Sequence, residues 1–235
     1  MGSKTKVKSI GIIPARGGSK NIKNKNLLKV NNLSLIEIAY TQAKKSKKFD
    51  KILCSTDSKI IIDHCIRKKI PFIKRPKKYA KDNSNVVETV LHVLGVEKDK
   101  NNFYELVGLL QPTSPFLKVD DIKKVMNLLE KNKNLNSCQT VHSTPHNYHY
   151  LNTKIVKSNN LAFMFEKQRM KKFNKQKKIK TYSFGNFLAS RVKILQKSKN
   201  LFSKPSGFKV IDRISSFDLD DKSDLVFAKL ISKNL

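Results

Sequence analysis

The stretch Ile10 to Leu28, IGIIPARGGSKNIKNKNLL, decides how this chain is read. A short apolar run stops at Pro14 and gives way to Arg16, Gly17, Gly18, Ser19 and a series of lysines. An apolar run bounded in this way reads as a buried strand. A cationic, glycine-rich loop behind a strand is suited to phosphates, because backbone N–H groups approach the oxygens where no side chain intervenes and the basic groups neutralise them. The spacing is neither GxxxxGK[ST] nor GxGxxG. It is ARGGSK at Ala15 to Lys20, followed by Lys25-Asn26-Leu27. A strand followed by an ordinary solvated turn fits the same residues, so the loop needs partners elsewhere in the chain.

Outward from that loop, strand-like and helix-like segments alternate with short connections, as in a parallel sheet covered by helices. Strands are expected at Ser9 to Pro14, Lys51 to Ser55, Pro71 to Lys74, Glu105 to Leu110 and Ser137 to Val141. Helices are expected at Leu35 to Ser46, Lys59 to Lys69, Val86 to Val96 and Asp120 to Asn132. Residues 143–185 break this rhythm and read as an excursion. Order returns at Phe187 to Leu195 and Lys209 to Ile211, and a final amphipathic helix covers Lys222 to Ile231. Special residues gather just after the strands, at Arg16 to Lys20, Thr56-Asp57, Arg75-Pro76 and Gln111 to Pro115. Such positions share one edge of an open parallel sheet, where ligands bind.

The 235 residues suit one α/β domain, taken as residues 4–235. No apolar run is long enough to span a membrane, and no signal-peptide pattern opens the chain, so a soluble cytoplasmic protein without membrane partners is expected. Cys54, Cys65 and Cys138 are odd in number and far apart, which favours reduced, buried thiols over disulfides or a zinc ribbon. His142, His146 and His149 lack nearby carboxylate or cysteine partners and read as loop or interface residues. The net charge of +31 points towards polyanions. However, only six of the 49 basic residues are arginine, the lysines are spread along the whole chain, and no aromatic residues alternate with them as a base-stacking platform would require. No specific nucleic-acid partner is expected.

Asp218-Leu219-Asp220 places two carboxylates on one side of an extended segment. Such a pair suits a hard divalent cation such as Mg²⁺. The competing reading is a helix N-cap formed by Asp220 or Asp221. A cationic, glycine-rich loop and a metal together describe nucleotidyl transfer, the loop stabilising the triphosphate and the leaving pyrophosphate and the metal neutralising developing charge. Charge-assisted contacts of roughly 1.5 to 3 kcal/mol imply that losing Arg16 costs on the order of ten- to a hundredfold or more.

These motifs together resemble the cytidylyltransferases that activate acidic sugars, namely the CMP-N-acetylneuraminate synthetases with their legionaminic and pseudaminic acid relatives. The resemblance rests on IPARGGSK with Lys25-Asn26, STD at Ser55 to Asp57, Arg75-Pro76 with Ala80-Lys81-Asp82, LLQPTSP at Leu109 to Pro115 and SFDLD at Ser216 to Asp220. It implies a Rossmann-like, mostly parallel sheet with helices on both faces, of the nucleotide-diphospho-sugar transferase type. It also implies that Arg16, Gly17, Gly18, Ser19 and Lys25 hold the triphosphate of CTP, and that Asn26 and Arg75 recognise cytidine. Gln111 would lie against the sugar acid, and Asp218 and Asp220 would hold Mg²⁺.

The acceptor half departs from the family pattern. Lys175-Gln176, Ile179, Tyr182 and Gly185-Asn186-Phe187 stand where the resemblance implies Arg-Gln, Pro, an aromatic residue and Asn-Gly-Ala. Phe116-Leu117-Lys118 stands for a Leu-Arg pair. Lys175, Gln176 and Tyr182 are therefore the expected acceptor contacts, for an acceptor that need not be N-acetylneuraminate. By the same resemblance, residues 143–185 would build a homodimer. A phosphonate acceptor, or a nucleotide- or polyanion-binding protein without catalysis, remain the alternatives.

Overall fold

The computed structural model describes residues 8–18, 21–81, 84–172 and 174–234. The chain runs through β1 (Ser9–Pro14), a small hairpin of β2 (Lys29–Val30) and β3 (Leu33–Ser34), α1 (Leu35–Ser46), β4 (Lys51–Thr56), α2 (Lys59–Arg67), β5 (Phe72–Lys74), α3 (Val86–Lys98), β6 (Leu106–Leu110), α4 (Val119–Lys131) and β7 (Ser137–Ser143). The excursion then carries a hairpin of β8 (Lys154–Lys157) and β9 (Asn160–Phe163), followed by α5 (Glu166–Lys171). β10 (Tyr182–Arg191), α6 (Val192–Ser198), β11 (Ser206–Val210) and α7 (Lys222–Lys233) complete the fold.

The central sheet is ordered β11-β7-β10-β6-β1-β4-β5. All its neighbours pair in parallel except β10, which runs antiparallel to both β6 and β7. This is the mostly parallel α/β sheet expected from the sequence. Alternation along the strands builds two cores, because successive side chains leave opposite faces. Ile13, Leu106 and Leu110 pack with Ile36 and Ala39 of α1 and Ile122, Val125 and Met126 of α4. Ile10, Ile12, Val107 and Leu109 pack on the other face with Val87, Val90 and Leu94 of α3 and Leu195 of α6. With about 1.5–3 kcal/mol gained for each large apolar side chain buried, these two layers dominate the stability of the sheet.

Gly11 and Gly108 are register partners on β1 and β6. Glycine is needed there because Phe49 lies against the bare backbone: a Cβ on Gly108 would meet its ring at 2.7 Å, and one on Gly11 at 3.2 Å. The same ring packs edge-on to Phe187 of β10 at 6.3 Å, so one aromatic side chain ties three central strands together.

The elements expected from β1 to β7 lie within about two residues of their bounds, whereas the short β2–β3 hairpin was not expected. The stretch Phe187 to Leu195, expected as one ordered element, is in fact divided between β10 and α6. β10 already begins at Tyr182, inside the segment read as excursion. A bulge between Phe184 and Leu188 interrupts its alternation and conceals the strand in the sequence. Thr140 of β7 satisfies the bulge through Oγ1, which accepts from the N–H groups of Asn186 at 2.8 Å and Phe187 at 2.9 Å. The three cysteines are free and buried, as expected. No helix of the described residues is long and apolar enough to cross a membrane.

Candidate active site

The C-terminal ends of β1, β5 and β6 open into a cleft of about 340 Å³. That volume lies at the lower end of the roughly 300–1,000 Å³ usual for small-molecule sites. Arg16, Lys25, Asn26, Arg75 and Gln111, singled out at four separate places in the sequence, all line it.

The loop after β1 is braced from the neighbouring strand. Ala15 donates its N–H to the carbonyl of Ser55 at 2.9 Å. The N–H of Gly17 donates to Oδ1 of Asp57 at 2.9 Å. A Cβ on Gly17 would meet Cβ of Ser58 at 2.6 Å, whereas one on Gly18 would meet nothing within 4 Å. Gly17 is therefore required by close approach, and Gly18 leaves its backbone open. Ser19, expected on the triphosphate, lies outside the described residues. Asn26 is buried in the short turn Lys25–Leu27, and its Nδ2 donates to the carbonyl of Arg16 at 3.0 Å. One face of the loop is thus held by Asp57 and the other by Asn26.

Arg75 is 5 % exposed. Its Nη2 donates to the Ser55 carbonyl at 2.6 Å, Nε to Ser55 Oγ at 3.2 Å and Nη1 to the Tyr79 carbonyl at 3.4 Å. Burial presses its pKa below the usual arginine value, and the charge of Asp57 opposes that shift. Asp57 therefore serves both the glycine loop and the buried guanidinium. In the sequence Asp57 stands out only as one of the special residues gathered after the strands, within the STD motif.

The SFDLD segment reaches the cleft from the far end of the chain. The N–H of Leu219 donates to the Thr113 carbonyl at 2.8 Å, which pins the segment to the loop after β6. Leu219 is fully buried and its two aspartates flank it. Burial raises the pKa of Asp218, and the charge of Asp220 adds to this, against the opposing effects of the Thr113 hydroxyl and Lys25. Oδ1 of Asp220 accepts from Nζ of Lys25 at 2.8 Å. The helix-capping role falls to Asp221, which forms a reciprocal capping box with Asp224 at the start of α7. Asp218 and Asp220 are thus not consumed by the cap. Two carboxylates on one segment, Asp218 disfavoured as an anion and Asp220 turned to solvent beside Lys25, fit a hard divalent cation, with further oxygen ligands supplied by a nucleotide and water. No group of three or more acidic, histidine or cysteine side chains placed for a metal occurs among the described residues.

Of the expected acceptor contacts, the side chain of Lys175 lies outside what is described, and the other two lie away from the cleft. Gln176 sits in the turn Lys175–Lys177 of the excursion, and Tyr182 begins β10 beside Phe208, with ring centroids 6.5 Å apart. Neither lines the cleft of its own chain. Lys118 has a defined partner: its Nζ donates to Oδ2 of Asp212 at 2.8 Å. Residues that line the cleft without having been singled out as contacts include Tyr79, Ser84 and Thr89. Ser84 and Thr89 arrive with the start of α3, where polar residues read equally as a helix entry.

Residues 10–223 match the model of a family described as cytidylyltransferase. A pseudaminic acid cytidylyltransferase of Campylobacter jejuni is 28% identical, over 97% of both chains. An N-acylneuraminate cytidylyltransferase of Escherichia coli is also 28% identical, over 97% of this chain and 53% of its own length. Among solved structures, a CMP:2-keto-3-deoxy-manno-octonic acid synthetase complexed with CTP superposes with a TM-score of 0.73 at 14% identity, covering 97% of this chain and 100% of that one. A 4-diphosphocytidyl-2C-methyl-D-erythritol synthase from Anaerococcus prevotii shares the fold with a TM-score of 0.64. A family match over nearly the whole length, on a sheet whose edge gathers the expected cationic loop, shows that this chain is an enzyme of the cytidylyltransferase family.

Proposed function

We propose that this chain transfers CMP from CTP to the anomeric hydroxyl of a 2-keto sugar acid of the pseudaminic, legionaminic or sialic type, releasing pyrophosphate. One observation carries this reading: Arg16, Lys25, Asn26, Arg75 and Gln111 line a single cleft, and the Asp218/Asp220 segment reaches it through the Lys25–Asp220 contact. The relatives of highest coverage act on sugars of this class by name.

In this reading Arg16, Lys25 and the open backbone of Gly18 hold the triphosphate and stabilise the leaving pyrophosphate, while Gly17, with its N–H given to Asp57, sets the course of the loop. Asn26 and the fixed guanidinium of Arg75 present hydrogen-bonding groups to the cytosine, and Gln111 faces the acceptor. Asp218 and Asp220 would hold Mg²⁺, which supplies charge neutralisation and polarises the phosphate oxygens. The chain positions the acceptor hydroxyl in line with the α-phosphorus, so no enzyme nucleophile is required.

The excursion favours a homodimer. Val156 is 73%, Leu161 70% and Met170 68% exposed on β8, β9 and α5, a concentration of apolar side chains that a second copy would cover. Lys175, Gln176 and Tyr182 would then serve the neighbouring cleft. Light scattering at micromolar concentration should give twice the chain mass, and a monomer would count against this part of the account.

The activity is tested by incubating the protein with CTP, Mg²⁺ and pseudaminic, legionaminic, N-acetylneuraminic or simple phosphonate acceptors while following pyrophosphate. Release with a sugar acid supports the proposal. Release with the phosphonate alone moves the acceptor to that class, and no release with any acceptor leaves a nucleotide-binding protein.

A further inference from the structure

The Asp218/Asp220 pair sits at the end of a surface loop, yet the loop that carries it is anchored in the centre of the sheet. Asn186, at the β10 bulge, is fully buried, as is Ser215. Nδ2 of Asn186 donates to the Ser215 carbonyl at 2.7 Å. Its Oδ1 accepts from Oγ1 of Thr140 at 2.9 Å, which fixes the orientation of the carboxamide. Ser215 in turn donates its N–H to Oδ1 of Asp212 at 2.8 Å and its hydroxyl to Oδ2 at 2.7 Å. Asp212 is held at its outer side by Lys118, just before α4. A continuous set of hydrogen bonds thus joins β7, β10, the loop after β11 and the start of α4, and it ends three residues before Asp218.

A carboxamide suits this position because it donates to one side and accepts on the other. The bulge is what turns it there. Gly185 is required beside it, since a Cβ would meet Thr140 Oγ1 at 2.6 Å and Ile211 at 2.8 Å. The order Gly185-Asn186 is therefore a local solution, in which the glycine admits Thr140 and Ile211 and the asparagine reaches across to the loop.

We infer that Asn186 is the positioning residue for the carboxylate pair: by holding Ser215 it sets where Asp218 and Asp220 stand against Gln111–Thr113 and Lys25. It touches neither nucleotide nor acceptor. This inference rests on the proposed metal role of Asp218 and Asp220 and deepens it. Groups that orient metal ligands typically alter metal affinity by about 10- to 100-fold when removed.

The test is Mn²⁺ binding, followed by electron paramagnetic resonance in the presence of CTP, together with CTP binding in the absence of metal. Asn186→Ala should weaken Mn²⁺ by about tenfold or more, with metal-free CTP affinity unchanged within about twofold because Arg16, Asn26 and Arg75 are untouched. Thr140→Ser, which keeps the hydroxyl, should bind Mn²⁺ as the wild type does. Lys118→Met acts at the exposed outer end of the same network, where unfolding is not at issue, and should weaken Mn²⁺ by a smaller factor of about two- to fivefold. Folded Asn186→Ala and Lys118→Met that both bind Mn²⁺ like the wild type would overturn the inference while leaving the metal assignment standing. A wild-type protein that binds no Mn²⁺ even with CTP would overturn the metal assignment, and this inference with it.

Discussion

Nζ of Lys25 lies 2.8 Å from Oδ1 of Asp220, joining the loop after the first strand to the segment before the last helix across 195 positions of sequence. The lysine is 11% exposed and the aspartate 70%. The residue proposed for the triphosphate is thus the counter-ion of a residue proposed for the metal. In the proposed function Asp218 and Asp220 would hold the cation, and the nucleotide phosphates would offer Lys25 a new partner in place of Asp220.

Replacing the lysine separates these roles. Lys25→Met removes a competing cation, so the nucleotide-free protein should bind Mn²⁺ more tightly, by about two- to fivefold for a partly exposed pair. The same variant should turn over CTP about ten- to a hundredfold more slowly, since a charge-assisted phosphate contact is lost. Calorimetric titration of Mn²⁺ and initial rates against CTP check the two effects. Unchanged metal affinity would show that the ion pair does not guard the carboxylates.

The two loop glycines should behave differently. Gly17→Ala forces a Cβ to within 2.6 Å of Ser58 and disturbs the hydrogen bond to Asp57, whereas Gly18→Ala meets nothing within 4 Å. Gly17→Ala is expected to weaken CTP binding about tenfold or more with the fold retained, and Gly18→Ala to remain within about threefold of wild type. Nucleotide titration by fluorescence or calorimetry, with circular dichroism as the folding control, distinguishes them. Equal effects at both positions would mean that the backbone opening, not the Asp57 brace, governs the loop.

A structural carboxylate far from the cleft provides a stability prediction. Glu97 of α3 is fully buried and accepts from Lys51 Nζ at 2.7 Å, Tyr104 Oη at 3.0 Å and Asn102 Nδ2 at 3.1 Å. Burial alone would raise its pKa, but the Lys51 and Tyr104 hydrogen bonds and the Lys51 charge outweigh it and hold the carboxyl below the ordinary value near 4.5. A depressed carboxylate stabilises the fold above its unfolded value, and that stabilisation is lost as pH falls through the folded one. Glu97→Gln points an amide at donors and should cost about 2 kcal/mol at pH 7, or roughly 4–8 °C in Tm. The difference from wild type should shrink in melts below about pH 4.5. A pH-independent difference would show that packing, not the charge, is what Glu97 contributes.

How much of this was legible in the sequence follows from how local each feature is. The central strands β1 and β6 are buried on both faces and announce themselves as apolar runs, and the cationic loop is contiguous in the chain. β10 was misjudged because Gly185 and Asn186 break its alternation, and only Thr140 on another strand explains why they do. The Asp218/Asp220 pair was visible, but the division of labour in which Asp221 takes the cap was not, since Asp220 and Asp221 satisfy the same local pattern. Asp57 bracing Gly17 and Lys118 gripping Asp212 are contacts between distant segments that no periodicity encodes. Lys118 stands in the altered acceptor half of the sequence, and the structure pairs it with Asp212.

The central claim is cytidylyl transfer to a sugar acid, and ³¹P nuclear magnetic resonance of one reaction mixture tests it most directly. With CTP, Mg²⁺ and the pseudaminic, legionaminic or N-acetylneuraminic acceptor, the three CTP resonances should give way to one phosphodiester signal of a CMP-sugar and one of pyrophosphate, and UTP, ATP or GTP should not substitute. CTP that persists with every acceptor, or decays only to CDP and phosphate, would contradict the account.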